Sequence, residues 1–202
     1  MLKTLSDSVA AGVLIAIGGC VFLACDNRYI GAGLFSVALL CICYMDYYLF
    51  TGKIGFWPVD ASLRNTGRLL LGLAGNLATV FLLGLVVRYA LPELARNGSE
   101  IFTAKLSQSV GQTAVRAAFC GVLMYLSVQI FREKRTPIGI LFCIPVFILS
   151  GFEHSIADMF YFGTSGLSDL RTVTFFAAVI FGNAAGSLLL PMLGKIGGKG
   201  KK

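Results

Sequence analysis

Two ionisable side chains stand next to each other inside a long apolar stretch of this sequence. His154, the only histidine, follows Glu153 within the apolar run from Pro137 to Phe162. Placing an ionisable group at membrane depth costs roughly 2.5–3.5 kcal/mol on insertion scales, so such groups usually mark a pathway for a proton, an ion or a polar solute. The competing interpretation is a histidine that forms hydrogen bonds within a helix bundle and serves packing alone.

The composition indicates that this apolar run lies in a membrane. Hydrophobic residues make up 56% of the chain and charged residues 13%, whereas soluble domains contain about 45–50% and about 25%. Six continuous stretches are long enough for a membrane-crossing helix, and their lack of alternation favours helices over a barrel. The predicted spans are Val9–Cys25, Ile30–Phe50, Leu69–Leu91, Thr113–Phe131, Ile138–Phe162 and Val173–Leu193. The sequence therefore predicts an all-α integral membrane protein with a single transmembrane domain over residues 1–202.

The basic residues predict the orientation. Six spans put both termini on one side, and that side carries Lys3, Arg64, Arg68, Arg132, Lys134, Arg135, Lys195, Lys199, Lys201 and Lys202. The other side carries only Arg28, Arg88, Arg96, Lys105 and Arg171. This excess predicts cytoplasmic termini in the inner cell membrane. The net charge of +7 is then explained by orientation and by membrane lipid head groups, with no role for nucleic acid.

The chain divides into two halves of three spans, about residues 1–105 and 106–202. Polar or glycine residues interrupt the middle span of each half, at Thr51, Gly52, Lys53 and Gly55 and at Gly151, Glu153, His154 and Ser155. Matching interruptions predict two inverted repeats, with broken second and fifth helices and a solute path at their interface. The positive end of a half-helix favours an anion. Glu153 either holds the imidazole in place or faces the adjacent helices.

Four motifs resemble those of the formate/nitrite transporter family, which includes formate, nitrite and hydrosulfide channels. They are GFEHSIADMF (Gly151 to Phe160), LFTG (Leu49 to Gly52), CGVLMYLSV (Cys120 to Val128) and GNAAG (Gly182 to Gly186). The first two are highly specific, and the order of motifs agrees along essentially the whole chain. The resemblance implies a homopentamer in which each protomer encloses its own pore in an aquaporin-like arrangement of helices.

The resemblance also implies roles for individual residues. Thr51 and His154 would form the central polar pair, and Phe35, Leu39, Phe50 and Phe147 are the constriction candidates, each of which ordinary packing explains equally well. Arg116 corresponds to a basic residue near the pore mouth, although an arginine near a helix end also extends to the membrane surface for solvation. Asn183 falls on an asparagine of the last helix, where close packing competes with solute contact. Glu153 and Lys53 complete the supporting or vestibule set.

The predicted function is a channel or proton-coupled transporter for small monovalent anions, with formate or nitrite favoured and hydrosulfide next. The alternatives are a neutral small-solute channel and a structural membrane oligomer. An enzyme is not expected, since the sequence has no second histidine and no metal-binding or nucleophile motif; no metal or cofactor is predicted. Tyr48, Lys53, Gly121 and Asp158 depart from residues that are frequent in the family, which leaves solute choice and gating open.

Overall fold

Helices form every regular element of the described chain. The structure is a computed structural model that describes residues 1–196, so Lys199, Lys201 and Lys202 of the orientation prediction lie outside it. Within that range the elements are α1 (Leu2–Ala24), α2 (Arg28–Tyr44), α3 (Phe50–Lys53), a 3₁₀ segment (Ile54–Val59), α4 (Leu63–Ala90), α5 (Pro92–Leu106), α6 (Val110–Lys134), α7 (Ile138–Leu149), α8 (Ser155–Ser165) and α9 (Arg171–Ile196). The predicted all-helical fold is thus confirmed for the described residues.

Four of the described helices, α1, α4, α6 and α9, are long and apolar enough to cross a membrane. The apolar helices α2 and α7 have only 17 and 12 residues. Because a crossing helix needs about 20 residues, α2 and α7 would cross only together with the segments that follow them. The count of six spans therefore stays a prediction.

The long helices extend beyond the predicted spans because polar residues continue or cap them. The first helix begins at Leu2 instead of Val9, and Lys3 pairs with Asp7 one turn later at 2.6 Å. The helix that contains the fourth predicted span starts at Val110 instead of Thr113, after a capping box in which Ser109 and Gln112 each bind the other's backbone amide. Apolar run length locates the part of a helix that suits lipid, whereas polar caps determine where the helix ends.

The second predicted span is not a continuous helix to Phe50. The helix α2 ends at Tyr44, and Asp46 then adopts a left-handed conformation with φ 51°. The amide of Tyr47 donates to the carbonyl of Ile42 at 3.0 Å, which closes the helix end. The interruption thus precedes Thr51, because residues 50–53 form one helical turn of their own.

The fifth predicted span is interrupted in the same way. The helix α7 ends at Leu149, and Gly151 adopts the left-handed conformation with φ 67°. The amide of Phe152 donates to the carbonyl of Phe147 at 3.0 Å. Both breaks therefore begin with one type of helix ending, and each continues through extended residues into a second helix.

Glycines allow close approach where α8 packs against α4 and where α9 packs against α6. A Cβ at Gly84 would lie 2.8 Å from Gly163 Cα, and one at Gly182 would lie 2.6 Å from Ala117 Cβ. A Cβ at Gly121 would meet the Asn183 carbonyl, which explains a glycine at a position where the family frequently has asparagine. These contacts hold the second half-helix and the last helix against the rest of the bundle.

The helix α5 was not predicted from the sequence. It begins with Pro92 and carries Glu93 in its first turn, and its buried face presents Ala95, Phe102 and Leu106. Proline and an acidic residue are typical of a helix start, and this spacing places the apolar side chains on one face. The segment is too polar overall to be detected as a membrane span, so the helix-start residues Pro92 and Glu93 and the helical periodicity were the available signals.

Candidate pore site

Thr51 and His154 meet in the interior although 103 residues separate them. The distance from Thr51 Oγ1 to His154 Nε2 is 2.9 Å, and the two residues are 0% and 2% exposed. Thr51 lies in the short helix α3, and His154 is the N-cap of α8. The two helix breaks thus bring the predicted central pair into direct contact.

The hydrogen bonds of His154 indicate its tautomer. Its Nδ1 accepts a hydrogen bond from the Ala157 amide at 3.2 Å, so a neutral ring carries its proton on Nε2. That N–H then donates to the hydroxyl of Thr51, whose own proton remains available for another acceptor. Protonating Nδ1 as well would place its N–H against the N–H of Ala157. A charged imidazole therefore requires that the hydrogen bond from the Ala157 amide to Nδ1, which caps α8, be broken.

Two cavities of about 750 Å³ each approach this pair. The first, here called the Lys53 vestibule, lies among the beginnings of α1 and α4 and the ends of α2 and α6. The second, the Glu153 vestibule, lies among the end of α1, the beginnings of α2 and α6, and α5. The vestibules therefore open at opposite ends of the bundle. His154 lines the second, while Gly52, next to Thr51, lines the first.

The vestibules differ in charge. The Lys53 vestibule is lined by more basic than acidic side chains, namely Lys3, Lys53, Arg68, Arg132 and Arg135 against Asp7 and Asp46. The Glu153 vestibule has equal numbers, namely Arg28, Lys105 and Arg116 against Glu100, Glu153 and Asp158. A basic cavity raises the local concentration of anions. The Lys53 vestibule is therefore the more attractive of the two for an anion.

The four predicted constriction residues occupy different places. Phe147 stacks on the His154 ring with centroids 5.6 Å apart and meets Phe35 edge-on at 6.5 Å. Both phenylalanines line the Glu153 vestibule, whereas Leu39 lines the Lys53 vestibule. Phe50 packs in a separate apolar cluster with Tyr48 and Leu69. Apolar side chains thus border the polar pair on both sides, and the function of each as a constriction stays a prediction.

Asn183 holds the second break in place. Its side-chain oxygen accepts from the Ser155 amide at 2.9 Å, and its nitrogen donates to the carbonyls of Glu153 and Ala117 at 2.8 and 2.9 Å. The side chain is fully buried. Asn183 therefore satisfies backbone groups that the helix break leaves without partners.

Asn76 performs the same task at the first break. Its side-chain oxygen accepts from the Phe50 amide at 2.9 Å, and its nitrogen donates to the carbonyls of Tyr48 and Ser8 at 2.9 and 2.8 Å. Asn76 was not among the predicted site residues. The available signal was a lone amide side chain within the apolar span Leu69–Leu91, where an unpartnered polar group is costly.

Glu153 does not contact the His154 imidazole through its carboxylate. Its side chain forms an ion pair with Lys105 of α5 and accepts a hydrogen bond from Gln108 Nε2 at 2.7 Å. Asp158 Oδ1 lies 3.0 Å from the same Lys105 ammonium group. Of the two roles left open for Glu153, the structure thus shows contact with a neighbouring helix. Lys105, Gln108 and Asp158 were not among the predicted site residues.

The two predicted vestibule cations contact the helix breaks. Arg116 Nη1 donates to the Gly151 carbonyl at 3.2 Å, and Lys53 Nζ pairs with Asp46 Oδ1 at 2.7 Å. The Asp46 side chain is 85% exposed, so this pair is well screened and contributes little stability. Both cations line a vestibule and also support a break.

Comparisons with known proteins agree on one family. The model of the formate/nitrite transporter family matches residues 1–196. A solved pentameric formate channel with formate bound is 20% identical to this chain, with a TM-score of 0.75 over 95% of this chain and 94% of that one. A solved FNT family ion channel is also 20% identical, with a TM-score of 0.74 over 96% and 87%. No curated protein sequence matches.

The chain belongs to the formate/nitrite transporter family. This assignment confirms the resemblance seen in the sequence motifs. It also confirms the prediction that the protein is a channel or transporter and not an enzyme. Together with the four long apolar helices, it identifies an integral membrane protein of the anion channel and transporter class.

Proposed function

We propose that this chain forms a path for small monovalent anions, with formate or nitrite as the first candidates and hydrosulfide next. The observation that carries the proposal is the 2.9 Å contact between Thr51 and His154, which lies between vestibules at opposite ends of the bundle. A hydroxyl and an imidazole N–H are donors, and donors stabilise an anion that has lost water.

The path begins in the Lys53 vestibule, whose excess of basic side chains attracts the anion. The anion then loses water beside the apolar side chains of Leu39, Phe35 and Phe147. The Thr51 hydroxyl, whose own proton is free because His154 Nε2 donates to its oxygen, offsets part of that cost. The α8 N-terminus, capped by His154, adds the positive end of a helix dipole.

A weak-acid anion crosses more easily if it takes up a proton and passes as the neutral acid. In the observed geometry Nε2 carries the imidazole proton, so a relay through His154 requires a second proton to reach Nδ1. That step displaces the Ala157 amide. Proton coupling therefore depends on a transient opening of the α8 cap, whereas simple anion conduction leaves the cap closed.

We further propose a homopentamer with two inverted repeats per protomer and cytoplasmic termini in the inner membrane. The solved formate channel is pentameric, which supports the assembly. The corresponding roles of Asn76 and Asn183 and the similar endings of α2 and α7 support the repeats. Exposed apolar side chains such as Ile17, Val37 and Phe181 suit contact with lipid or with neighbouring protomers.

A flux panel tests this proposal. Purified protein in proteoliposomes is compared for uptake of formate, nitrite, hydrosulfide, lactate and glycerol, with empty liposomes as the control. Uptake of formate or nitrite well above the control is expected. Uptake of glycerol alone would assign the protein to the neutral-solute channels, and uptake of none of the five would favour a structural oligomer.

A further inference from the structure

Two buried carboxyl groups share a single cation at the wall of the Glu153 vestibule. Lys105 Nζ contacts the Glu153 carboxylate and lies 3.0 Å from Asp158 Oδ1. The side chains of Lys105, Glu153 and Asp158 are 14%, 1% and 2% exposed. If both carboxyl groups are ionised, the cluster carries a net charge of −1 with little access to water.

The two carboxyl groups are not equally satisfied. Glu153 receives hydrogen bonds on both oxygens, from Lys105 and from Gln108. Asp158 Oδ2 is buried and has no hydrogen-bond partner within residues 1–196. Burying an ionised carboxylate with one oxygen that has no hydrogen-bond partner is costly. A second carboxylate on the same cation increases that cost. A single proton on the pair removes the net charge.

The other charged or titratable groups near the cluster do not supply a second counter-ion to Asp158. They are His154 and Tyr161 from the same segment, Arg116 and Cys120 from α6, Cys20 and Cys25 at the end of α1, and Arg28 and Glu100, which line the vestibule. Arg116 is directed to the Gly151 carbonyl at 3.2 Å. His154 has its Nδ1 on the Ala157 amide and its Nε2 on Thr51.

The cluster stands next to the proposed path. Glu153 adjoins His154 in sequence, and Asp158 lies one turn further along α8, where its amide donates to the His154 carbonyl at 2.8 Å. All three residues line one cavity. A charge on the cluster therefore acts on any anion in that cavity at short range and with weak solvent screening.

We infer that Glu153 and Asp158 share one proton at neutral pH, and that its loss at higher pH makes the vestibule wall negative and hinders anion passage. The proton belongs to the pair because both carboxyl groups contact the one Lys105 ammonium group. Below the transition the cluster is neutral and admits anions; above it the cluster repels them. The effect on passage rests on the proposed function, whereas the protonation does not.

Infrared spectroscopy tests the proton directly. Folded parent protein at neutral pH should show the C=O stretch of a protonated carboxylic acid, and the band should vanish on alkaline titration. Asp158→Asn should remove the band. Asp169→Asn is the control, because hydrogen bonds from Arg171 hold the pKa of Asp169 below its usual value, so Asp169 is a carboxylate and its loss should leave the band unchanged. Absence of the band in the parent, or its persistence in D158N, would overturn the inference.

Flux measurements test the consequence. At pH values above the transition, formate flux through the parent protein should fall with rising pH more steeply than flux through D158N, by up to about tenfold per pH unit. The reason is that the fraction of parent channels that conduct equals the fraction in which the carboxyl pair is protonated. Equal pH profiles would overturn the gating step even if the infrared band behaves as expected. If D158N does not assemble, Glu153→Gln serves instead, since removing either carboxyl group leaves one acid for one ammonium. If the protein passes no anion, the proposed function is refuted. The infrared measurement still tests whether Glu153 and Asp158 share a proton.

Discussion

Replacing Thr51 with valine removes one hydroxyl from the proposed path and keeps the side-chain volume. In the observed tautomer the Thr51 hydroxyl accepts from His154, so its own proton is free for an anion. A hydrogen bond to a charged group contributes roughly 1.5–3 kcal/mol. Since about 1.4 kcal/mol corresponds to a factor of ten, we expect formate flux to fall roughly ten- to a hundredfold.

The assay is formate uptake into proteoliposomes, normalised to the amount of folded oligomer. Thr164→Val is the matched control, because Thr164 is equally buried and donates to the Tyr161 carbonyl, and it does not line either vestibule. Thr51→Ser keeps the hydroxyl and should restore most of the flux. Flux in T51V within about twofold of the parent, far less than the loss of a charged hydrogen bond implies, would refute the reasoning.

Three further predictions follow from the same contacts. His154→Asn cannot titrate near neutral pH, so a relay through His154 predicts a changed pH profile of flux in the folded oligomer; an unchanged profile rejects the relay. Asn183→Leu leaves the buried Ser155 amide and Glu153 carbonyl at the break unpaired, at about 1–3 kcal/mol each, so its thermal unfolding in detergent should occur well below that of the control Asn97→Leu, which loses one hydrogen bond; equal unfolding temperatures would contradict the stabilising role of Asn183 at the break. Lys53→Gln should reduce anion flux at low salt and much less at high salt; a salt-independent loss would argue against attraction by charge.

The sequence predicted the central pair because its signal was local and unusual. His154 is an ionisable residue in an apolar run, and the motifs around it and around Thr51 are specific to one family. Helix breaks were predictable for the same reason, since glycines and polar residues interrupt apolar runs. The point at which α2 ends was not predictable, because it depends on the left-handed conformation of Asp46, a residue without a strong preference for it.

The surroundings of the pair were less accessible to sequence reasoning. Asn76 acts on Phe50 and Tyr48, which lie 26 and 28 residues away, and a contact of that kind depends on tertiary packing. Lys105 appeared in the sequence only as one basic residue of an outer loop. Its contact with Glu153 and Asp158 requires the helix α5, which the apolar pattern did not reveal.

Tyr48 and Glu153 have corresponding backbone positions at the two helix breaks but different side-chain surroundings. Each precedes its half-helix by two residues, and each has its carbonyl bound by an asparagine side chain. Glu153 forms an ion pair with Lys105, whereas the Tyr48 ring lies 5.8 Å from both Lys53 Nζ and the Arg68 guanidinium. The backbone arrangement is thus shared while the side chains differ, which explains why sequence comparison of the halves detects the breaks more readily than the groups around them.

The most direct measurement of the central site is an experimental structure of the protein solved with formate or nitrite. An anion path through the Thr51–His154 pair predicts density for an anion of three non-hydrogen atoms within hydrogen-bond distance of Thr51 Oγ1 and beside the His154 ring, with Phe35 and Phe147 on one side and Leu39 on the other. Density confined to the two vestibules, with His154 enclosed by side chains and no cavity alongside it, would contradict the assignment of this pair as the anion site.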